Sequence, residues 1–349
     1  MRFIGNKEKL LDKIYQVMTE KGIKGQSFFD FFAGTTNVGR FFKKKGYRVF
    51  SSDLLYFSFV LQKAYIANNQ EAAFGGVLKT INYQPTQLFA TPLQVVVEYL
   101  NQIPDQQGFI YKNYTPAGNR MYFSEENGLR IDAIRQQIED WKDENIISEN
   151  EYFVLLACLI ETVPFYANVA GVYAAFHKKW DPRAVKKLNL RSIELIKNDF
   201  DNQCFNENSV NLLDKIEADI FYLDPPYNQR QYAPNYHLLE TIAKCDSPEI
   251  KGITGLRANY ENQKSKFCNA TTALQELQKI AKDGKYKMLI LSYNDEGIMP
   301  QSEILSLLSK YGKTELVEFD YLRFKSNNNG DSKYKKHIKE QLYILQKNG

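Results

Sequence analysis

The chain has 349 residues, 44% of them hydrophobic and 25% charged, so it can bury a sizeable core and is not a disordered tract. No apolar run reaches the roughly 20 residues a membrane span needs, and the opening MRFIGNKEKLL lacks the apolar core of a secretion signal, so the expected location is the cytoplasm. The formal net charge is +4, the four cysteines (Cys158, Cys204, Cys245, Cys268) form no CxxC pair and the three histidines (His177, His237, His337) show no ligand spacing; neither a disulfide scaffold nor a metal is expected.

In chain order, apolar runs bounded by turn signals predict a strand over residues 27–32, a helix over 38–45 closed by Gly46, a second strand over 47–52 and a helical stretch over 54–68. From about 69 to 190 the strand rhythm stops. Ile131, Ile134, Ile138 and Trp141 fall at helical spacing, and Ser148 with Glu151 forms an S-x-x-E capping box ahead of the apolar run 152–160. Strands resume over 192–197, 219–223, 285–292, 314–324 and 341–345, with an exposed loop expected at 326–330. Strand, helix, strand order near both ends predicts an α/β fold with a largely parallel sheet in one domain, 1–68 and 191–349, interrupted by a mainly helical domain over 69–190.

Two short segments carry chemistry. Asp30-Phe31-Phe32-Ala33-Gly34-Thr35-Thr36-Asn37-Val38-Gly39 stands where a strand ends and a helix begins; small residues there let a cofactor approach the backbone. Asp53, 19 positions beyond Gly34, ends the next strand, where it can accept ribose hydroxyls. Gly34 and Gly39 do not complete G-x-G-x-x-G, and no G-K-[ST] is present, so neither a nicotinamide site nor a phosphate-binding loop is expected. The more specific segment is Asp224-Pro225-Pro226-Tyr227, directly after the apolar run 219–223. Two successive prolines cannot donate to a sheet ladder, so the strand stops and its carboxyl end presents Asp224 and Tyr227, the rim where open α/β sheets bind ligands. The Asp224 carboxylate and the Pro225 carbonyl form a pair of acceptors suited to hold the two N–H bonds of an exocyclic amino group, and Tyr227 is an aromatic face for a base.

These residues resemble the alpha-group N6-adenine DNA methyltransferases, the Dam-like and restriction-modification methylases, and the resemblance covers nearly the whole chain. It implies an S-adenosylmethionine-dependent methyltransferase fold, Rossmann-like, with an inserted target-recognition domain at 69–190. Phe3, Gly5 and Lys7 resemble the family's N-terminal motif, with Phe3 and Lys7 as cofactor contacts. Asp30 to Gly34 resembles the turn under the methionine moiety, with Thr35 in the region of the usual second glycine. Asp53 matches the ribose acid, and Asp199 resembles the acid beside the cofactor's adenine. The implied reaction is methyl transfer to adenine N6 in double-stranded DNA, catalysed by Asp224, Pro225, Pro226 and Tyr227, with Asp224 also near the cofactor and a cognate endonuclease as a possible companion acting on the same site. An RNA or cytosine-N4 methyltransferase fits the same tetrad, and a non-catalytic DNA-binding relative is the alternative of another class.

DNA contacts are expected from two further places. Between His177 and Arg191 six basic residues, Lys178, Lys179, Arg183, Lys186, Lys187 and Arg191, face one acid, Asp181, which suits phosphates; a solvated helix face is the other reading. Tyr111, Lys112, Tyr114, Arg120 and Tyr122 around Pro116 and Gly118 read as a base-reading loop, with Arg120 shaped for a guanine edge. The segment 251–266, with Arg257, Lys264 and Lys266 against Glu261, reads as a mobile lid over the flipped base.

Overall fold

The computed structural model describes residues 5–81, 89–322 and 337–348. Phe3, the loop expected at 326–330 and the end of the strand expected at 314–324 lie outside them. The strands are β1 (Ser27–Asp30), β2 (Arg48–Ser52), β3 (Gln203–Phe205), β4 (Ile220–Leu223), β5 (Ile250–Lys251), β6 (Leu256–Arg257), β7 (Met288–Asn294), β8 (Gly312–Leu322) and β9 (His337–Lys347). Seven of them form one sheet in the order β3-β2-β1-β4-β7-β9-β8; β5 and β6 form a separate hairpin. From β3 to β7 neighbours run parallel, and β9 is antiparallel to both β7 and β8. The result is a mixed α/β sheet, mostly parallel at its centre, with an antiparallel edge.

A parallel sheet covered on both faces needs continuously apolar strands, and the central strands supply them. In β1 Phe28 and Phe29 are both fully buried. Phe28 stacks on Phe42 of the helix Asn37–Lys44 at 3.8 Å between ring centres, while Phe29 packs with Phe31 and Phe221 on the opposite face. The order in which strands are added reverses about β1, whose parallel neighbours are β2 on one side and β4 on the other, so the carboxyl ends of β1 and β4 flank the switch point of the sheet.

The third strand lies elsewhere than expected. Residues 192–197 form no strand; the partner of β2 is β3, eight residues beyond 197 at its far end, with Ser51 opposite Cys204. A side chain sets the start of the pairing. Val49 N–H donates 2.8 Å to Asn202 Oδ1, so an amide takes the first ladder position and the backbone takes over at Gln203.

The described chain divides into two compact units. The sheet unit comprises Gly5–Gln62, Asn198–Tyr232 and Gln263–Gly349; the other comprises Lys63–Lys197 and Ala233–Asn262. The second unit is helical, built on Pro92–Leu100, Glu125–Asp143, Glu149–Thr162 and His237–Lys244 with the β5–β6 hairpin. Ile131, Ile134, Ile138 and Trp141 are buried along Glu125–Asp143, and the Ser148 and Glu151 side chains cap each other's backbone N–H as the capping box predicts. The helical unit also takes in residues 233–262, beyond the expected limit at 190, because buried donors reach them: Arg135 donates to the carbonyls of Ile242 and Ala243 at 2.7 and 3.1 Å. No described helix is long and apolar enough to cross a membrane.

Candidate active site at the sheet rim

β1 ends at Asp30 and β4 runs straight into Asp224, and the two ends are tied by Phe31 N–H donating 3.0 Å to Tyr222 O. Pro225 and Pro226 are buried, and Ile298 N–H donates 3.0 Å to Tyr227 O, which fixes the turn after β4. The Tyr227 ring meets Tyr293 of β7 edge to face at 5.2 Å, and its hydroxyl donates to Asp224 Oδ1. Burial pushes the Asp224 carboxyl up to about 6 against the pull of Lys7 and of the tyrosine hydroxyl, with Glu340 adding to the rise.

Lys7 enters the same rim. Its ammonium, 3% exposed, lies 2.9 Å from Glu340 Oε2, 3.6 Å from Asp224 Oδ1 and 4.7 Å from the centre of the Tyr227 ring. Burial pulls this ammonium's pKa down, but Asp224 and Glu340 outweigh burial and hold it charged, above the usual lysine value. Glu340 was not foreseen from sequence. The only local sign is an acid within the apolar run of the last strand, and its partner lies 333 residues away.

On the other side of the switch point, Gly34 (φ +49°) and Thr36 (φ +63°) turn the chain from β1 into the helix Asn37–Lys44. The left-handed position next to the departure at Thr35 thus falls on a β-branched residue, an uncommon conformation held by complete burial of Thr36. Asp53, just past β2, accepts from Gly34 N–H at 2.8 Å and from Leu55 N–H at 2.9 Å, and so shapes this turn. Asp30 is fully buried and its Oδ2 has no hydrogen-bond partner among the described residues. Burial raises its carboxyl to about 7.

Asp30 therefore yields a stability prediction. In the unfolded chain it ionises near 3.8, in the folded chain near 7, so between those values the unfolded state releases its proton first and stability falls as pH rises. Asp30→Asn keeps the shape without the charge. Its stability advantage over wild type should grow by about 1.4 kcal/mol per pH unit between about 4 and 7 and level off above, read by chemical denaturation across that range. A constant difference would mean that Asp30 is not buried as a carboxylic acid.

Asp199 does not join the rim. It is exposed, and the adjacent Asn198 donates 2.8 Å to Tyr47 O, at the amino end of β2. With β3 starting at 203, the residue at the carboxyl end is Asn206, whose amide donates 3.0 Å to Asp53 O; the later start of β3 is what leaves Asp199 away from the rim.

In the helical unit the expected DNA contacts divide. Lys178, Lys179, Lys186 and Lys187 are all exposed on a segment that is turn and coil, not helix. Two fully buried asparagines hold that coil: Asn127 bonds the backbone of Ala184, Lys186 and Leu188, and Asn168 that of His177 and Asp181. Arg183 is paired with Asp181 at 2.8 Å.

The arginines chosen from sequence are used by the fold itself. Arg120 donates through Nε to Ile253 O (3.0 Å), through Nη1 to Asn113 O and Gly118 O (2.9 and 3.3 Å) and through Nη2 to Gly252 O (3.1 Å). A guanine edge needs the fork that these carbonyls occupy. Arg257 is 1% exposed and forms a bidentate pair with Asp246, so it is an internal strut of the helical unit rather than a surface cation. Tyr114 and Tyr122 are likewise fully buried, their hydroxyls donating to Gly255 O and Thr254 O. Lys266 pairs with Glu276 at 2.9 Å. Arg120→Ala should accordingly cost stability, by about 2 to 4 kcal/mol, since several turn carbonyls lose their donor at once. Equilibrium unfolding checks this; an unchanged midpoint would return the side chain to a surface role.

Comparison with known proteins bears on the whole chain. A family model described as D12 class N6 adenine-specific DNA methyltransferase matches residues 3–306. The chain is 39% identical over 359 residues to Type II methyltransferase M.FokI of Planomicrobium okeanokoites, covering 99% of this chain and 53% of that protein. It is 37% identical to Modification methylase LlaI of Lactococcus lactis subsp. lactis, covering 100% of this chain and 55% of that one. With Type II methyltransferase M.NlaIII of Neisseria lactamica it shares 36% identity over 99% of both. The chain thus spans about half the length of the first two relatives and nearly all of the third.

Proposed function

Because the chain belongs to the D12 class N6 adenine-specific DNA methyltransferase family, we propose that it transfers a methyl group from S-adenosylmethionine to the N6 amino group of adenine in duplex DNA, as the modification enzyme of a restriction-modification system. The observation that carries this reading is the Asp224-Pro225-Pro226-Tyr227 turn at the carboxyl end of β4, beside the end of β1.

An adenine amino group is a weak nucleophile, because its lone pair is delocalised into the ring. Both the tyrosine hydroxyl and the Lys7 ammonium approach Asp224 Oδ1, which leaves Oδ2 to accept one substrate N–H while the Pro225 carbonyl accepts the other. Acceptors aimed at the nitrogen stabilise the positive charge it gains as the new bond forms. Tyr227 is the stacking surface for the flipped base, a contact of about 1 to 3 kcal/mol that offsets part of the unstacking cost. The product proton leaves after transfer, so no side chain need act as a strong base beforehand.

S-adenosylmethionine supplies an electrophilic methyl on a cationic sulfonium. The chain's residues fit that group: Asp30 offers a buried oxygen with no partner among the described residues, Gly34 and Asp53 form the turn expected to take the methionine and ribose parts, and the described rim carries more acid than base. Lys7 and Asp224 complete the set, with Phe3 outside the described residues and Asn206 standing where Asp199 was expected. The helical unit, residues 233–262 included, is the target-recognition part, and its exposed lysines contact phosphates.

Incubating the chain with methyl-labelled S-adenosylmethionine and duplex DNA, followed by nucleoside analysis, tests the reading. The expected product is N6-methyladenosine's deoxy form alone. Label on cytosine N4, or on RNA but not DNA, would overturn it.

A further inference from the structure

Lys7 is one buried cation between a buried acid, Glu340, and a part-buried one, Asp224, and it does not sit midway. Its ammonium is 2.9 Å from Glu340 and 3.6 Å from Asp224, and the Glu340 side chain is only 5% exposed. Glu340 reaches this position because β9 pairs antiparallel with β7 and sets Glu340 opposite Asn294, at the rim where β7 ends. An acid so deep in an apolar strand is unfavourable unless paired, and the partner it has found is the same lysine that faces the acceptor carboxylate.

We propose that Glu340 is a positioning residue for methyl transfer: by holding the Lys7 ammonium, it keeps that cation from neutralising Asp224 and leaves the rim with a net negative charge. The inference rests on the reading given under Proposed function. The substrate nitrogen becomes positive during transfer, so an acceptor closely paired with an ammonium would serve it poorly, whereas one that retains its charge attracts it. Glu340 and Asp224 together outweigh Lys7 by one negative charge. Among the described residues, the Tyr227 hydroxyl, Tyr222 of β4 and Asp30 at the end of β1 also bear on Asp224, and none of these is a cation.

Glu340→Gln keeps the hydrogen-bond acceptor and the volume and removes the charge. Lys7 then has a single anionic partner and moves to Asp224, which lowers the carboxylate's pKa. Single-turnover methylation should slow by about tenfold or more, and the acid limb of its pH profile should move to lower pH than in wild type. A second readout does not depend on turnover. The neutral product S-adenosylhomocysteine should bind the variant as it binds wild type, while the cationic S-adenosylmethionine loses affinity, so their ratio falls. Glu340→Asp should recover part of the rate.

A slower rate with an unmoved acid limb and an unchanged ratio would make Glu340 a structural anchor only and overturn the proposal. So would an unchanged rate. If Glu340→Gln does not fold, the double variant Lys7→Gln with Glu340→Gln removes both charges together; its acid limb should lie above that of a Lys7-containing Glu340→Asp enzyme, and the reverse order would contradict the inference. Wild-type enzyme that makes no N6-methyladenine sinks the functional reading itself, whereas active wild type with an indifferent Glu340→Gln sinks only the role of Glu340.

Discussion

Asp224→Ala should reduce methyl transfer to below a few per cent of wild type while leaving binding of S-adenosylmethionine and of DNA within about tenfold. The asymmetry follows from what the carboxylate does at each stage. It accepts an N–H most strongly when the nitrogen carries positive charge, so its loss falls on the transition state rather than on the ground-state complexes. The fold should survive, because Lys7 keeps its tighter partner Glu340 at 2.9 Å and is not left as an unpaired buried cation. Single-turnover kinetics and calorimetric titration read the two halves separately. Retention of more than a few per cent of the rate would mean that another group accepts the amino hydrogen. A tenfold or larger loss of donor binding alone would mean that Asp224 serves the cofactor more than the base.

Replacing Lys178, Lys179, Lys186 and Lys187 together by Ala should weaken binding to every duplex alike, by about a hundredfold at moderate salt, and cut the salt slope by about 3. All four side chains are exposed, and the backbone beneath them is held by the amides of Asn127 and Asn168, so the substitution removes charge without loosening the segment. Phosphate contacts position a duplex and carry no sequence information, so the preferred site should not change. Binding titrations across a salt series are the check. An unchanged slope would make the lysines a solvated surface, and an altered site preference would place them on base edges.

What was legible in the sequence is what local chemistry determines. The apolar run before Asp224 and the two prolines after it had to end a strand, and β4 ends there. The Ser148–Glu151 box needed only residues three apart, and it forms as expected. The third strand lies beyond the apolar residues 192–197 that suggest it, and the subtler signal is Asn202, whose amide competes with the backbone for the first rung on β2. That displacement carried Asp199 away from the rim and left Asn206 in its place. Long-range pairing was not legible at all. An arginine bound to carbonyls on another loop, as Arg120 is to Gly252 and Ile253, reads in sequence like one free to grip a base. Glu340 is the same problem in reverse, since only its partner near the opposite end of the described chain reveals why an acid stands in β9. The segment 233–262 follows the catalytic motif in sequence, yet it packs in the helical unit because Arg135 and the hydroxyls of Tyr114 and Tyr122 are satisfied by its carbonyls.

The most direct test is to express the chain and its Asp224→Ala variant in a host without adenine methylation and to sequence both genomes with modification-sensitive reads. N6-methyladenine should be found at one short recurrent motif with the wild-type chain and be absent with the variant. Methylation that persists in the variant, or that falls on cytosine N4, would contradict the assignment of Asp224 and the turn after β4 as the site of adenine methylation.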